Sequence, residues 1–354
     1  MNQIETFSNR IKNLSNKILF KEKGKLIIIC NDWLYYKRLH PVELEKYELI
    51  KKNIFTFLLT YFYLLFKNIL KNIIKLFFSL SYYFQNQEIK KDKIDTLFVT
   101  YKFNNKYTLK NDSYFKSIYE KFKKNSKSFF IIAANHQKDF LNLKKRINNY
   151  YELNKKTNLI LEINIFFLTL FFCIKNLIIG LIKFDNFEKK FYLLLSLSFL
   201  HGNTIDNLKY YYQILSLIKK KNPKSIVSIY EGHAFERVIF RAAKKINNKI
   251  KTVAYNHTII SSNHNAIFLN LGKINNPDNL VFANQISKKL YLSKKKNKIQ
   301  KLFCVSKNKN WKKGKLQNRT FCLVAPEGLD SENIKFYNFV SDYLNNYNNL
   351  KFIW

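Results

Sequence analysis

Seven short runs of continuously apolar residues set the tightest limit on what this chain can fold into. They are "KLIIIC" (25–30), "DTLFVTY" (95–101), "SFFIIAA" (128–134), "SIVSIY" (225–230), "IKTVAY" (250–255), "NLVFA" (279–283) and "KLFCVS" (301–306). Each is short and rich in Ile, Val and Phe, which predicts a strand buried on both faces. Helical patterns lie between most of them, over Ser113–Lys124, Gln137–Tyr150, Ile205–Lys221 and His233–Asn247. The alternation predicts an α/β fold, a parallel sheet doubly wound with helices.

The pattern breaks once and restarts. Residues 307–318, "KNKNWKKGKLQN", are polar and read as a linker. "RTFCLVAPEG" then reads as strand and turn, "DSENIKFYNFVSDYLNNY" as a helix, and "LKFIW" as a strand. Asp330 or Ser331 is the expected N-cap of that helix. The expected organisation is a first domain over 1–306 and the start of a second over 319–354. The chain stops inside an apparent strand, which predicts a truncated reading frame and an incomplete second domain.

Two apolar segments fall outside this scheme. Asn53–Phe84 carries an apolar run over 54–66, too short to span about 30 Å of hydrocarbon. Lys67, Lys71 and Lys75 follow at helical spacing, as in a helix lying in a membrane interface or a core helix with a solvated edge. Leu159–Ile182 is long enough to span, but Glu162 and Lys175 interrupt it. A buried or membrane-dipping hairpin is expected there before a true span. Membrane-associating helices are thus expected near 53–84 and 159–200.

Net charge is +38. A composition dominated by Lys, Asn, Ile, Phe and Tyr accounts for part of it. The remainder is a surface that attracts polyanions or an anionic membrane. Basic runs such as "SKKKNKIQK" are dispersed rather than gathered into one recognition element, so nucleic acid is not the expected partner. Residues 1–25 are polar and basic, without the apolar core of a secretory signal. Cys30, Cys173, Cys304 and Cys322 are scattered without CxxC spacing, which argues against zinc and disulfides and suits a reducing compartment.

Ligands of open α/β sheets sit beyond the C-terminal strand ends, above all at a topological switch point. The candidates are therefore the polar residues directly after the apolar runs. They are Asn31 with Asp32, Asn135 with His136, Glu231-Gly232-His233, Asn256 with His257, and Pro326-Glu327-Gly328. Singly, each is also a cap or turn former, and the signal lies in the set. Glu231 stands out, because a carboxylate at a strand tip can act as general base toward a hydroxyl. Its structural alternative is to cap the following helix. Gly232 permits a sharp turn and the close approach of a ligand. Glu236 falls inside the helix, where it can pair with Arg237, Arg241 or Lys244. His257 can orient an acceptor or bind an anion. "APEGLDSE" places a helix N-terminus after a strand, a geometry that holds phosphate, so Pro326, Glu327, Gly328 and Ser331 are the candidate donor-binding residues.

No GxxxxGK[ST], GxGxxG, GxSxG or HExxH occurs, which disfavours nucleoside triphosphatases, plain dinucleotide oxidoreductases, serine hydrolases and zinc proteases.

"YEGHAFERVIFRAAKK…KTVAYNHTII", then "NPDNLVFANQISKKLYL" and "KLFCVS", resembles bacterial surface-carbohydrate biosynthesis proteins of GT-B glycosyltransferase-like architecture, from O-antigen and capsule clusters. Phe235 stands for the aromatic of their "YEG…WE" helix, "AYNH" (254–257) for "GYQH", and "APEG…SE" (325–332) for the first strand and loop of the nucleotide-sugar domain. The likeness covers 95–354 and is best from 225 onward. Phe282-Ala283-Asn284 lacks the usual glycine, Ser306-Lys307 matches "GS.R" loosely, and an "RLHP"-like motif is absent. The resemblance implies two Rossmann-like domains and sugar transfer from a nucleotide sugar to a lipid-linked or glycan acceptor at the cytoplasmic face of a bacterial membrane. Glu231 would be catalytic. His233, Tyr255, Asn256, His257, Asp32, Asn135 and His136 would bind substrate. No metal or cofactor is expected, because helix dipoles and basic residues can neutralise a leaving diphosphate. The rivals are a nucleotide-sugar epimerase on the same fold and a non-catalytic basic membrane- or RNA-binding protein.

Overall fold

The structure is a computed structural model. It describes residues 2–35, 47–80, 92–102, 114–125, 127–135, 150–153, 157–258, 260, 266–294, 301–304, 321–323, 337–338, 340–342 and 351–353. The chain divides into two compact units, Met1–Ser306 and Lys307–Trp354.

In the first unit seven strands form one sheet: β1 Thr96–Lys102, β2 Phe129–Asn135, β3 Tyr150–Leu153, β4 Ser225–Ile229, β5 Lys251–Asn256, β6 Asn279–Phe282 and β7 Lys301–Cys304. The order is β3-β2-β1-β4-β5-β6-β7 and every pairing is parallel. This is a doubly wound, Rossmann-like order with its switch point between β1 and β4.

The continuous apolar strands have a direct cause: both faces of the sheet are buried. Leu97, Val99, Phe130, Ile132, Ile226 and Ala254 face the larger core. Their neighbours Phe98, Phe129, Ile131, Ile229 and Tyr255 face a smaller aromatic core on the other side. There Phe98 meets Phe115 and Tyr119 at 5.4 and 5.1 Å between ring centroids.

The helices of this unit are α1 Asn2–Lys21, α2 Leu26–Cys30, α3 Ile54–Leu80, α4 Lys116–Lys124, α5 Leu159–Leu181, α6 Asn186–Phe199, α7 Gly202–Lys221, α8 Ala234–Ile246 and α9 Gln285–Lys294. Six of the seven apolar runs form strands. The exception is "KLIIIC", which is the short helix α2 packed against α7 and α8. Its orphan carbonyls find side-chain donors outside the run: Tyr35 Oη gives to Ile29 O at 3.1 Å, and the distant Asn207 Nδ2 to Cys30 O at 2.9 Å. Those partners make a one-turn helix viable where local pattern favours a strand. Asn31 and Asp32 therefore follow a helix rather than a strand. Asn31 Oδ1 accepts from Trp33 N, and its Nδ2 gives to Ser198 Oγ at 2.7 Å.

The sequence pattern also missed β3, "YYEL", at the sheet edge, and assigned its Tyr150 to a helix. The rest of that expected helix, 137–149, lies outside the described residues.

The two apolar segments are each one helix. α3 runs 27 residues, so the apolar run at 54–66 does not set its length. The hairpin expected within 159–182 is instead the unbroken α5, paired with α6 beyond it. Glu162 and Lys175 do not break α5 because both turn toward protein partners. Glu162 meets Lys209 at 2.7 Å in a buried ion pair, and Lys175 meets Glu22 at 3.0 Å.

In the second unit β8 Phe321–Leu323 pairs in parallel with β9 Lys351–Ile353. The loop and N-cap expected between them lie outside the described residues, as does the expected linker.

Candidate active site

β4 ends at Ile229 and α8 starts at Ala234, so four residues make the turn. Gly232 makes this turn at φ +91°, in the left-handed region that favours glycine. A Cβ there would stand 2.4 Å from the Ala266 carbonyl carbon. The close approach that requires glycine is thus by the chain itself.

Glu236 organises the turn. Its Oε2 accepts the backbone N–H of Glu231 at 2.8 Å, of Gly232 at 2.7 Å and of His233 at 2.9 Å. A carboxylate at the third position of a helix reaching back to the cap is the acidic half of a capping box. Glu231 does not cap the helix, and Glu236 makes none of the expected arginine pairs. Arg237 instead bonds the carbonyls of Gly232, Ala266 and Leu269 and the Asn276 side chain. Arg241 bonds Lys23 O, Gly24 O and Asn275, and Lys244 pairs with Asp278. Burial pushes the Glu236 carboxyl up to about 7; the His233 charge and the N–H groups oppose that rise.

With Glu236 holding the turn, Glu231 is released for other work. Its Oε2 lies 3.1 Å from His233 Nε2, and its Oε1 lies 3.8 Å from His257 Nε2. One carboxylate thus sits between two imidazoles, each beside a different oxygen. All three groups are partly exposed. An ionised carboxylate only accepts, so Nε2–H of His233 is the donor in that state. His257 also meets the Tyr114 ring edge-on, at 4.4 Å between centroids.

Position adds to geometry. Glu231 lies two residues past the end of β4, beside the β1/β4 switch point, where sheets of this kind bind ligands. Tyr101, near the end of β1, packs against Phe235 of α8 at 5.3 Å between ring centroids. Burial holds its hydroxyl well above the usual phenol range, followed by the charges of Glu236, Asp32 and Glu231. Asp32 lies in a 3-10 turn after α2, and its charge reaches this hydroxyl.

The other expected residues divide. Asn256 ends β5, and its Nδ2 gives to Tyr230 O at 3.1 Å, tying the tips of β4 and β5 together. Its buried Oδ1 has no partner among the described residues. Tyr255 is buried with its ring near Phe115, at 5.9 Å between centroids, in the smaller core. Asn135 is the last residue of β2. His136, Pro326, Glu327, Gly328 and Ser331 lie outside the described residues.

Residue-type reasoning missed Tyr101 and Tyr114. Tyr101 closes an apolar run, so the strand-end rule reaches it once tyrosine is admitted beside Asn, Asp, Glu and His. Tyr114 is brought in by the fold, and its local sequence gives no signal. Among the described residues no group of three or more His, Cys, Asp or Glu is arranged to hold a metal ion.

A partly exposed carboxylate with an imidazole on either side can take a proton from a hydroxyl and pass it to a histidine. That is acid–base chemistry at a strand tip. Comparison with family models, curated proteins and solved structures finds no match to this chain.

Proposed function

We propose that this protein is a glycosyltransferase of surface-polysaccharide biosynthesis, with Glu231 as the general base. Sugar passes from a nucleotide sugar to a hydroxyl of a lipid-linked or glycan acceptor. Glu231 takes the hydroxyl proton as the acceptor oxygen bonds to the anomeric carbon. The bond from that carbon to the diphosphate oxygen breaks, and the nucleoside diphosphate leaves with the electron pair. His233 and His257 hold the carboxylate and the acceptor. A GT-B architecture assigns the donor to a second domain beginning in 319–354.

The observation that carries this reading is the Glu231 carboxylate bracketed by two histidines beside the β1/β4 switch point. The likeness of "YEGHAFE" and "AYNH" to surface-carbohydrate enzymes selects sugar transfer among acid–base reactions.

The test incubates the full chain with membrane lipid extract and a panel of UDP-, GDP- and CDP-sugars labelled in the sugar. Transfer moves label into the lipid fraction, whereas epimerisation leaves it in the nucleotide sugar with altered stereochemistry. Glu231→Gln should lower transfer by about 10²–10⁴ while leaving the thermal melt unchanged. Turnover near wild type in that variant removes Glu231 as the base.

A further inference from the structure

α3 and α5 are built with inverted polarity. On α3, Phe55, Leu59, Phe62, Phe66, Leu70, Ile74 and Phe77 recur at three- and four-residue intervals and are exposed, Phe66 at 69%. On α5, Ile160, Ile163, Phe167, Phe171, Ile174 and Ile178 do the same, Phe167 at 62%. Several polar residues of both helices point inward instead. Tyr61 of α3 bonds Ser196 at 2.8 Å, and Asn72 gives to Leu200 O at 3.0 Å. On α5, Glu162 pairs with Lys209, and Asn176 gives to Phe172 O at 2.8 Å. A helix facing water shows the opposite arrangement.

The two helices pack against each other. Both are long and apolar enough to cross a membrane by length and composition. Their inward sides, however, are committed to α6 and α7. Those helices carry Lys190, Asp206 and Lys209 and share the larger core with the sheet. A perpendicular span would pull that charged, sheet-backing layer into hydrocarbon, where each charge is costly.

We propose that α3 and α5 together form a monotopic membrane-docking face that lies in the plane of an anionic bilayer. The apolar stripes enter the acyl boundary, while the body of the domain stays in water. Charge selects the bilayer over a protein partner. Exposed Lys67, Lys71 and Lys75 run along α3 beside the stripe, on a chain of net charge +38. Such a combination binds anionic headgroups and hydrocarbon at once. This inference is independent of the proposed reaction, since it rests on a different part of the first unit.

The test is flotation of the purified full chain with phosphatidylglycerol-containing vesicles and with phosphatidylcholine vesicles. Wild type should float with the first and much less with the second. The double variant Phe66→Glu/Phe167→Glu should bind at least about tenfold more weakly, with an unchanged melt because both side chains are exposed in the fold. Depth is read separately, with tryptophan placed by Phe55→Trp, Phe66→Trp or Phe77→Trp and quenched by lipids brominated at shallow or deep positions. These sites span roughly 33 Å of helix, so an in-plane helix gives one depth and a spanning helix three. Three depths overturn the in-plane docking, and equal flotation of the double variant overturns the face. A wild type that ignores vesicles but dimerises through Phe66 and Phe167 assigns the face to a second copy and also overturns the proposal.

Discussion

Gly232 donates its backbone N–H to Glu236 Oε2 at 2.7 Å, and this bond closes the turn that presents Glu231. The two acidic residues of "YEGHAFE" thereby divide their labour. Glu236 satisfies three N–H groups of the β4–α8 turn, and Glu231 is left facing two histidines. A single glutamate could not do both.

The turn should tolerate no side chain at its centre. Gly232→Ala combines a positive φ with a Cβ 2.4 Å from backbone carbon. Strain and displacement together should cost roughly 2–5 kcal/mol. Urea denaturation measures this directly, and a variant as stable as wild type would mean that the Ala266 segment moves aside freely.

Glu236→Ala strips the acceptor from three N–H groups, that of Gly232 being buried. A loss of about 3 kcal/mol is expected. Glu236→Gln keeps a carbonyl oxygen for them but places an NH₂ at the other buried oxygen, which has no partner among the described residues. Its loss should be about 1 kcal/mol. Equal losses in the two variants would show that the acceptor is not what matters.

The pH dependence of stability carries the same signature. The Glu236 carboxyl rises from 4.5 to about 7 on folding, with burial as the largest cause. Between these values the folded chain holds a proton that the unfolded chain has released. This contribution is therefore fully present below 4.5 and lost as pH rises through about 7. It amounts to about 3 kcal/mol. Denaturant melts at pH 5 and pH 8 should show wild type losing stability relative to Glu236→Gln. Parallel behaviour would mean that the carboxylate stays ionised throughout, held by its three N–H donors.

Arg237 is fully buried and donates to three carbonyls and one side-chain amide, fastening α8 to the Ala266–Leu269 and Asn276 segments. Lysine lacks the planar fork that reaches several acceptors at once. Arg237→Lys should lose roughly 2–4 kcal/mol. Differential scanning calorimetry resolves that, and a melt within error of wild type would remove the guanidinium from the account.

The buried Glu162–Lys209 pair joins α5 to α7. Glu162→Ala removes the carboxylate from beside a buried ammonium and should cost about 3–5 kcal/mol. The double variant Glu162→Leu/Lys209→Met should recover most of it. A double-mutant cycle with no coupling would show that the pair is incidental to the packing.

The legible part of this protein was local. Strands such as "SFFIIAA" announce themselves because both faces are buried and every residue must be apolar, and α8 because its pattern starts cleanly after a glycine. The strand-end rule then reached Glu231, His233 and His257 without any structure. "KLIIIC" was not legible, because a run of five or six apolar residues satisfies a buried helix as well as a strand. Side chains outside the run, Tyr35 six residues on from Ile29 and Asn207 far away in sequence, settled it by taking its carbonyls.

By itself, then, the sequence determined which segments are buried and which polar residues end them, since burial pattern is a property of consecutive residues. Tertiary structure decided the rest. The order β3-β2-β1-β4-β5-β6-β7, which puts Glu231 beside the switch point, depends on pairings between strands as distant as Thr96 and Ser225. The choice of Glu236 rather than Glu231 as the cap depends on which carboxylate the turn at Gly232 points inward. Both are fixed by contacts through space, and no spacing along the chain encodes them.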